Sequence, residues 1–526
     1  MYAIRLSLLC GVLLALAAGD VLAVLLPAPA EAPLRQLLDQ FPLRCAPLPA
    51  SLDAAAQAQL DAFYRQRDDQ PAWRDAAHLS ALREQLALLA DDGLDPADYP
   101  LPASLEPGAG CSDLLTSHAY LRALGHLLGG RLAQKRLEPL WRAPEQSRPD
   151  PQLALLSIAL HDLDEPTRAF AAARPALPQY QALRSLYASV RHQPLAHWPA
   201  LPEGPLLRPG RDDPRVPALR VRLAAEGYLH GEPATRLDRH FDPELVAALQ
   251  SFQQRHALKP DGLLGPASLA ELNVDALTRR DQLRVNLERL RWLAADLASA
   301  RIAINVAAAE LLVFQDGREV WRTRTQVGRP TRPTPLLASQ IDRLTLNPRW
   351  IVPPTILRED KLPEIRRDPD YLARHQLSVQ DRRTGSPLDP ASIDWDNPGP
   401  IRLSQAAGPD NPLGRVALRF ANPFAVYLHD TPSQALFDKS PRVFSSGCVR
   451  VEAVTSLLGY FLAPEALADV ELRIASGRTQ EYRVRPKVPL LIGYWTVEVD
   501  ATGQPRYTPD MYGHDPQLLK ALLNAR

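Results

Sequence analysis

Two side chains that could perform acyl transfer together stand 19 positions apart, His429 and Cys448, in the stretch YLHDTPSQALFDKSPRVFSSGCVRVE from Tyr427 to Glu452. A thiol attacks a carbonyl carbon as the thiolate, and that form is favoured beside a base, a cationic side chain or a helix N-terminus. The stretch offers a candidate for each. His429 is the base and Arg450 the cation. Val454, Leu457, Leu458, Phe461 and Leu462 repeat at helical spacing after the acidic Glu452, which predicts a helix starting about three residues beyond the cysteine. The N–H groups of Gly447 and Cys448 would then face a turn able to hold an oxyanion. Each residue also has a plainer reading. A lone cysteine in a β domain is commonly a small buried hydrophobe, a lone histidine a satisfied structural residue, and Arg450 could simply pair with Glu452.

The elements that must position these residues begin at Arg301. Ile302, Ile304 and Val306 alternate, Leu311 to Phe314 is a short apolar run, Asp316-Gly317 is a hairpin signal, and Val320 to Val327 alternates again, so a mostly β domain is expected. Val470, Leu472 and Ile474 read as a further strand, as do Glu481 to Val484. Some 70 residues of weak pattern separate the word LNPRWIVPPTI (Leu346 to Ile356) from His429, a length that in a compact domain is usually functional or disordered.

Upstream the chain reads as helical modules. Its 526 residues exceed one core, and its 52 prolines cluster between periodic segments. Zero net charge argues against a nucleic-acid partner chosen by bulk electrostatics. Only six of the 60 basic residues are lysine, a bias spread along the whole chain. Arg5, the apolar run Leu6 to Ala18 and the small residues near Ala28-Pro29-Ala30 form a secretory-signal layout. An uncleaved membrane anchor is the other reading, made less attractive by Asp20 between two apolar patches. If the signal leaves with Cys10, three cysteines remain, and the simplest assignment pairs Cys45 with Cys111 and keeps Cys448 reduced. No zinc-type spacing is present, so no metal and no cofactor is expected.

A histidine followed by Ser445-Ser446-Gly447-Cys448 resembles the signature of the L,D-transpeptidases with a YkuD-type catalytic domain. The words His429-Asp430-Thr431-Pro432 and Leu346 to Ile356 look most like the large Gram-negative branch often called YcbB-type. Ser446 stands where many members carry a second His, and Ser404 where an Arg is common. Phe63-Tyr64, Pro71-Ala72-Trp73 and Asp92-Gly93-Leu94-Asp95-Pro96 resemble the scaffold region of that branch. Leu223 to Tyr228, Phe252 to His256 and the Asp261-Gly262 to Gly265-Pro266 turn resemble the peptidoglycan-binding type 1 module, although any small helical spacer uses similar turns.

The resemblance implies a multidomain α+β protein. Its parts are a signal peptide or N-terminal anchor at 1–30, a helical scaffold at 31–205 and a three-helix peptidoglycan-binding module at 206–276. A helical connector at 277–300 leads to a β-sandwich catalytic domain at 301–484 with a lid at about 355–420, and a tail without functional reading follows at 485–526. It implies a Cys448 nucleophile, a His429 base oriented by the backbone carbonyl of Asp430, and oxyanion donation from Gly447. Arg450, Tyr427, Trp350 and Ser446 would contact substrate, with Arg450 also lowering the thiol pKa. The expected donor is a peptidoglycan tetrapeptide and the acceptor a second stem peptide, joined as a 3-3 crosslink in the periplasm, with inner-membrane tethering and other cell-wall enzymes as candidate partners. Water or a cell-wall lipoprotein as acceptor, and a non-catalytic wall-binding protein, are the alternatives.

Overall fold

The computed structural model describes residues 34–40, 45, 52–102, 110–146 and 151–524. The N-terminal signal or anchor reading falls outside them. Among the described residues no helix is long and apolar enough to cross a membrane.

The N-terminal region is helical because its apolar residues recur at helical spacing and aspartates cap the starts. Asp53 accepts the Ala56 N–H ahead of Ala54–Arg65, and Asp75 the Ala77 N–H ahead of Ala76–Leu88. These pack on Gly110–Gly129 around one core that includes Phe63, Tyr64, Trp73 and Tyr120. The aromatic words noted above serve packing: buried Asp113 accepts from Tyr64 Oη (2.5 Å), Ala72 N (2.9 Å) and Trp73 N (2.8 Å). Cys45 and Cys111 are disulfide-bonded and Cys448 is free, as the cysteine count suggested.

The second unit packs Val216–Ala225, Pro243–Arg255 and Pro266–Leu272 around Val216, Leu219, Leu223, Phe241, Leu249 and Phe252. Asp242 caps the middle helix at Leu245 N and receives Arg220 at 2.5 Å. Leu201 joins this core and exchanges two hydrogen bonds with Asn273, so the unit starts earlier than the expected 206.

The strands are β1 (Trp141–Arg142), β2 (Ile302–Asn305), β3 (Glu310–Gln315), β4 (Arg318–Gly328), β5 (Leu337–Leu346), β6 (Trp350–Ile351), β7 (Leu377–Asp381), β8 (Ile401–Gln405), β9 (Val416–Phe420), β10 (Leu428–His429), β11 (Val443–Ser445), β12 (Val449–Val451), β13 (Gln480–Gly493), β14 (Val497–Val499) and β15 (Pro505–Tyr507). Pairing runs β5-β13-β2-β3-β4-β12-β10-β9 and returns to β5, so the expected mostly β domain closes on itself. Closure removes free edges along this path. The Asp316-Gly317 hairpin is present, both residues at positive φ.

Three expectations give way, while the expected helical connector is present. Val470, Leu472 and Ile474 lie in a helix, Pro464–Ala475, where Val470 is buried and Leu472 is 73% exposed. A three-letter alternation cannot separate period 2 from the i, i+4 pair Val470/Ile474. Residues 485–526 are no tail: β13 crosses the expected boundary to pair with β2 and β5, and the helix His514–Asn524 packs on the connector. The lid is shifted, because β9 belongs to the barrel while β6, β7 and β8 form a small sheet with its own core of Val352, Ile365, Tyr371, Val379 and Leu403. The connector Ala276–Ser299 is a buried hub. Its Arg289 is fully buried and donates to Glu138 of the scaffold (2.8 Å) and Asp515 of the last helix (2.5 Å), while Arg291 reaches Glu288 (2.6 Å) and the Asp92 carbonyl (2.7 Å).

Removing one member of a buried ion cluster strands the others. Arg289→Ala is therefore expected to destabilise the protein by about 3–5 kcal/mol, read as a lower denaturant midpoint. A loss below about 1 kcal/mol would mean that Glu138 and Asp515 reach water without it.

Candidate active site

β10 and β12 run parallel with Leu428 opposite Val449 and His429 opposite Arg450. Side chains alternate along strands. Leu428, Val449 and Val451 therefore enter the barrel core, and Tyr427, His429, Cys448 and Arg450 share the other face. That face is the floor of a cavity of about 810 Å³ between barrel and lid. Trp350 and Ser446 line it as well, so six of the expected site residues converge there.

His429 is buried, and its Nδ1 lies 2.5 Å from the carbonyl oxygen of Asp430. A carbonyl only accepts, so Nδ1 carries the proton and Nε2 keeps its lone pair. Burial, with Arg450 and Arg419 adding repulsion, takes the imidazole down to about 3; the Asp430 carbonyl opposes this only in part. The Asp430 carboxylate faces away to accept Arg415 N–H at 2.9 Å, fixing the loop after the lid. Gly414 is required there: its φ is +59°, and a Cβ would lie 2.4 Å from that carboxylate.

Cys448 is half-buried, and burial pushes its thiol up, outweighing a backbone hydrogen bond from Tyr427 and the charges of Arg419 and Arg450. The expected lowering by Arg450 is present but loses. The resting pair is thus neutral thiol beside neutral imidazole. The expected helix dipole is missing too, because β12 intervenes and the helix Val454–Leu458 has only five residues before Gly459.

The Ser445-Ser446-Gly447-Cys448 turn is cross-braced. Ser445 Oγ donates to the Cys448 carbonyl (2.5 Å) and accepts the Gly447 N–H (3.1 Å). The Gly447 N–H is therefore occupied, which corrects its expected oxyanion role; among the described residues the Cys448 N–H has no hydrogen-bond partner. Thr334 Oγ1 donates to the Gly447 carbonyl at 3.0 Å. Ser446 Oγ accepts from Arg332, which also holds Asp360 (2.7 Å) and Glu359 of the lid.

Among the described residues Arg450 has no carboxylate partner. Glu452 belongs to Arg324, and Arg450 donates to Gln326 Oε1 (3.0 Å) with its Nε unpartnered among the described residues. Of the five cations lining the cavity, Arg329 and Arg332 pair with Asp360, Arg332 also with Glu359, and Arg374 with Asp368; Lys361 and Arg450 have no carboxylate partner among the described residues and favour an anionic ligand. Trp350 belongs to the lid sheet and sits 5.5 Å from Lys361 Nζ. Tyr427 lies under Arg419, 3.9 Å from guanidinium carbon to ring centre, and burial raises its hydroxyl to about 12. Sequence reasoning missed Arg419, Arg332 and Thr334. Arg332 and Thr334 lie in a proline-rich loop that reads only as punctuation, and Arg419 in a strand that offers no motif. Among the described residues no three His, Cys, Asp or Glu side chains are grouped to hold a metal.

Three family models match the chain: the L,D-transpeptidase catalytic domain (YkuD) over residues 299–464, a scaffold domain over 58–186, and a "Putative peptidoglycan binding domain" over 212–272. A "Putative L,D-transpeptidase" of Haemophilus influenzae is 35% identical over 248 residues, 46% of this chain and 50% of that protein. The chain thus spans about half the length of that relative. Among solved structures, an L,D-transpeptidase from Mycobacterium smegmatis aligns at 16% identity over 37% of this chain and 58% of its own, TM-score 0.18. One from Xylanimonas cellulosilytica aligns at 15% identity over 55% and 98%, TM-score 0.18.

A neutral pair makes a distinct pH signature. Alkylation of Cys448 by iodoacetamide is expected to stay slow through pH 5–7, with no step near the ordinary histidine value of about 6.5, and to rise only above the ordinary thiol range near 8.5. A plateau of fast alkylation from about pH 4 to 8 would instead reveal a preformed thiolate–imidazolium pair.

Proposed function

We propose that this chain, which carries an L,D-transpeptidase catalytic domain, is a cysteine-dependent L,D-transpeptidase that forms 3-3 crosslinks between peptidoglycan stem peptides. The observation that carries the reading is the pairing of β10 with β12, which sets His429 and Cys448 on one face under a cationic cleft. A donor carbonyl at the L-centre of the third stem residue meets Cys448 Sγ as the thiol proton moves to His429 Nε2. The S–C bond forms and the carbonyl π electrons move to oxygen. The Cys448 N–H supports that oxyanion, a contribution of roughly 3 kcal/mol per donor in other acyl-transfer enzymes. Collapse breaks the C–N bond to D-Ala, whose amine leaves with the proton from His429. The thioester then meets the amine of a second stem peptide, which loses a proton to His429, and Cys448 is released as thiol.

Arg450 is suited to a substrate carboxylate because its guanidinium has none of its own. The lid supports the same chemistry by excluding water, which competes for the thioester. The module at 212–272 would hold the chain on the peptidoglycan that is also its substrate. The secretory-signal layout supports a periplasmic site of action, tethered to the inner membrane or released.

The soluble chain incubated with a carbapenem is expected to gain one adduct by intact mass, and Cys448→Ala to gain none. Muropeptides then decide the acceptor: 3-3 dimers support crosslinking, while tripeptide alone points to water. A folded wild-type chain that takes no adduct would sink the acyl-enzyme reading and favour a wall-binding protein.

A further inference from the structure

We propose that the C-terminal segment belongs to the catalytic apparatus: Tyr512 is a positioning residue that, through Thr334, orients the Gly447–Cys448 peptide and with it the oxyanion donor. This rests on the transpeptidase reading above.

The contacts run without a break from the last helix to the nucleophile. Asp510 accepts from Tyr494 Oη (2.5 Å) and from the N–H groups of His514 (3.0 Å) and Asp515 (2.7 Å), and Asp515 is held by Arg289. Tyr512 is seated on this anchor: its N–H donates to Tyr494 Oη (3.2 Å), and the two rings stack at 5.6 Å and 20°. Its hydroxyl donates to the Gly328 carbonyl (2.6 Å) and accepts the Thr334 N–H (3.1 Å). Gly328 and Thr334 are the two ends of a loop folded back on itself. Gly328 N–H donates to Thr334 Oγ1 at 2.8 Å, and a Cβ on Gly328 would lie 2.7 Å from Thr334 N. While accepting from Gly328, the buried Thr334 hydroxyl gives its one proton to the Gly447 carbonyl at 3.0 Å, an oxygen that can only accept.

Peptide planarity completes the argument. The C=O of Gly447 and the N–H of Cys448 belong to one rigid, trans unit and point in opposite directions. Fixing the oxygen therefore fixes the N–H. The Gly447 N–H is consumed by Ser445, whereas the Cys448 N–H has no partner among the described residues and is the donor assigned to the oxyanion. Gly447 has φ +114° and no side chain to pack against Pro333 or Val426, so the glycine itself does little to stop the plane from turning. Thr334 supplies that stop, and Tyr512 holds Thr334.

The test compares two reactions of Cys448 in the full chain. Carbapenem acylation needs the oxyanion donor; iodoacetamide alkylation does not. Tyr512→Phe and Thr334→Val are expected to slow acylation about 10- to 100-fold while alkylation stays within about threefold of wild type. Thr334→Ser keeps the hydroxyl and is expected to acylate within about threefold of wild type. Thermal melts check folding, and if Tyr512→Phe does not fold, the Thr334 pair decides. Acylation and alkylation falling together, or Thr334→Val acylating as fast as wild type, overturns the proposal. So does a folded Tyr512→Phe that acylates at the wild-type rate. A wild-type chain that alkylates at Cys448 but never acylates overturns the transpeptidase reading and this proposal with it, and only that outcome is visible without any variant.

Discussion

The fully buried guanidinium of Arg289 is the constraint on which the arrangement of the domains depends. It draws Glu138 of the scaffold and Asp515 of the last helix onto one face of Ala276–Ser299, while Arg291 on the same helix takes the Asp92 carbonyl and Tyr180. A guanidinium left unpaired at that depth costs several kcal/mol, so the three segments are ordered together or not at all. Asn286 extends the tie by exchanging hydrogen bonds with Thr496 just beyond β13. The end of the chain is thereby locked against the barrel, and the loop that braces the nucleophile inherits its position from a helix in another part of the molecule.

Inside the cleft, burial and positive charge act together on one partner and against each other on the second. For His429 both disfavour the charged form, and the imidazole falls to about 3. For Cys448 burial favours the thiol and the arginines favour the thiolate, and burial wins. The site is therefore poor at storing a resting ion pair, although the charges of Arg450 and Arg419 favour negative charge on Cys448. Attraction between such charges grows as water is excluded. A lid fastened through Arg332 to Glu359 and Asp360, with the same guanidinium on Ser446 two residues from the nucleophile, couples closure to the turn itself.

The helical, mostly β and lid regions were legible in the sequence because each leaves a period or a break in the chain. Cys448 and His429 were legible as a candidate nucleophile and base because they lie within one short stretch, while the Asp430 carbonyl came only with the family resemblance. The misreadings have physical sources. Val470 to Ile474 is too short for its period to be told apart. The boundary near 484 followed a loss of pattern at Arg485-Pro486-Lys487, where β13 bulges and then continues. The role of the Gly447 N–H was misassigned because a serine two residues before it competes locally for that donor, a contact that spacing alone does not reveal. Arg419, Arg332 and Thr334 are brought to the site by β9 and the β4–β5 loop, so only tertiary pairing identifies them.

Gly447 shows why Cys448, on so short a turn, needs bracing from outside. A Cβ there would meet nothing closer than 3.6 Å, so space does not demand glycine; the backbone does, since φ +114° is a conformation L side chains rarely adopt. The freedom that permits this φ also permits its neighbours, and a turn free to sample them would reorient the Cys448 N–H. Ser445 ties the turn across its own two ends, which fixes its width but leaves rotation of the Gly447–Cys448 plane open. Only a donor outside the turn can close that degree of freedom. Thr334 occupies that place, one residue beyond Pro333 in a loop whose ends are themselves pinned, and the rigidity of the site is thus borrowed from β4 and the C-terminal segment.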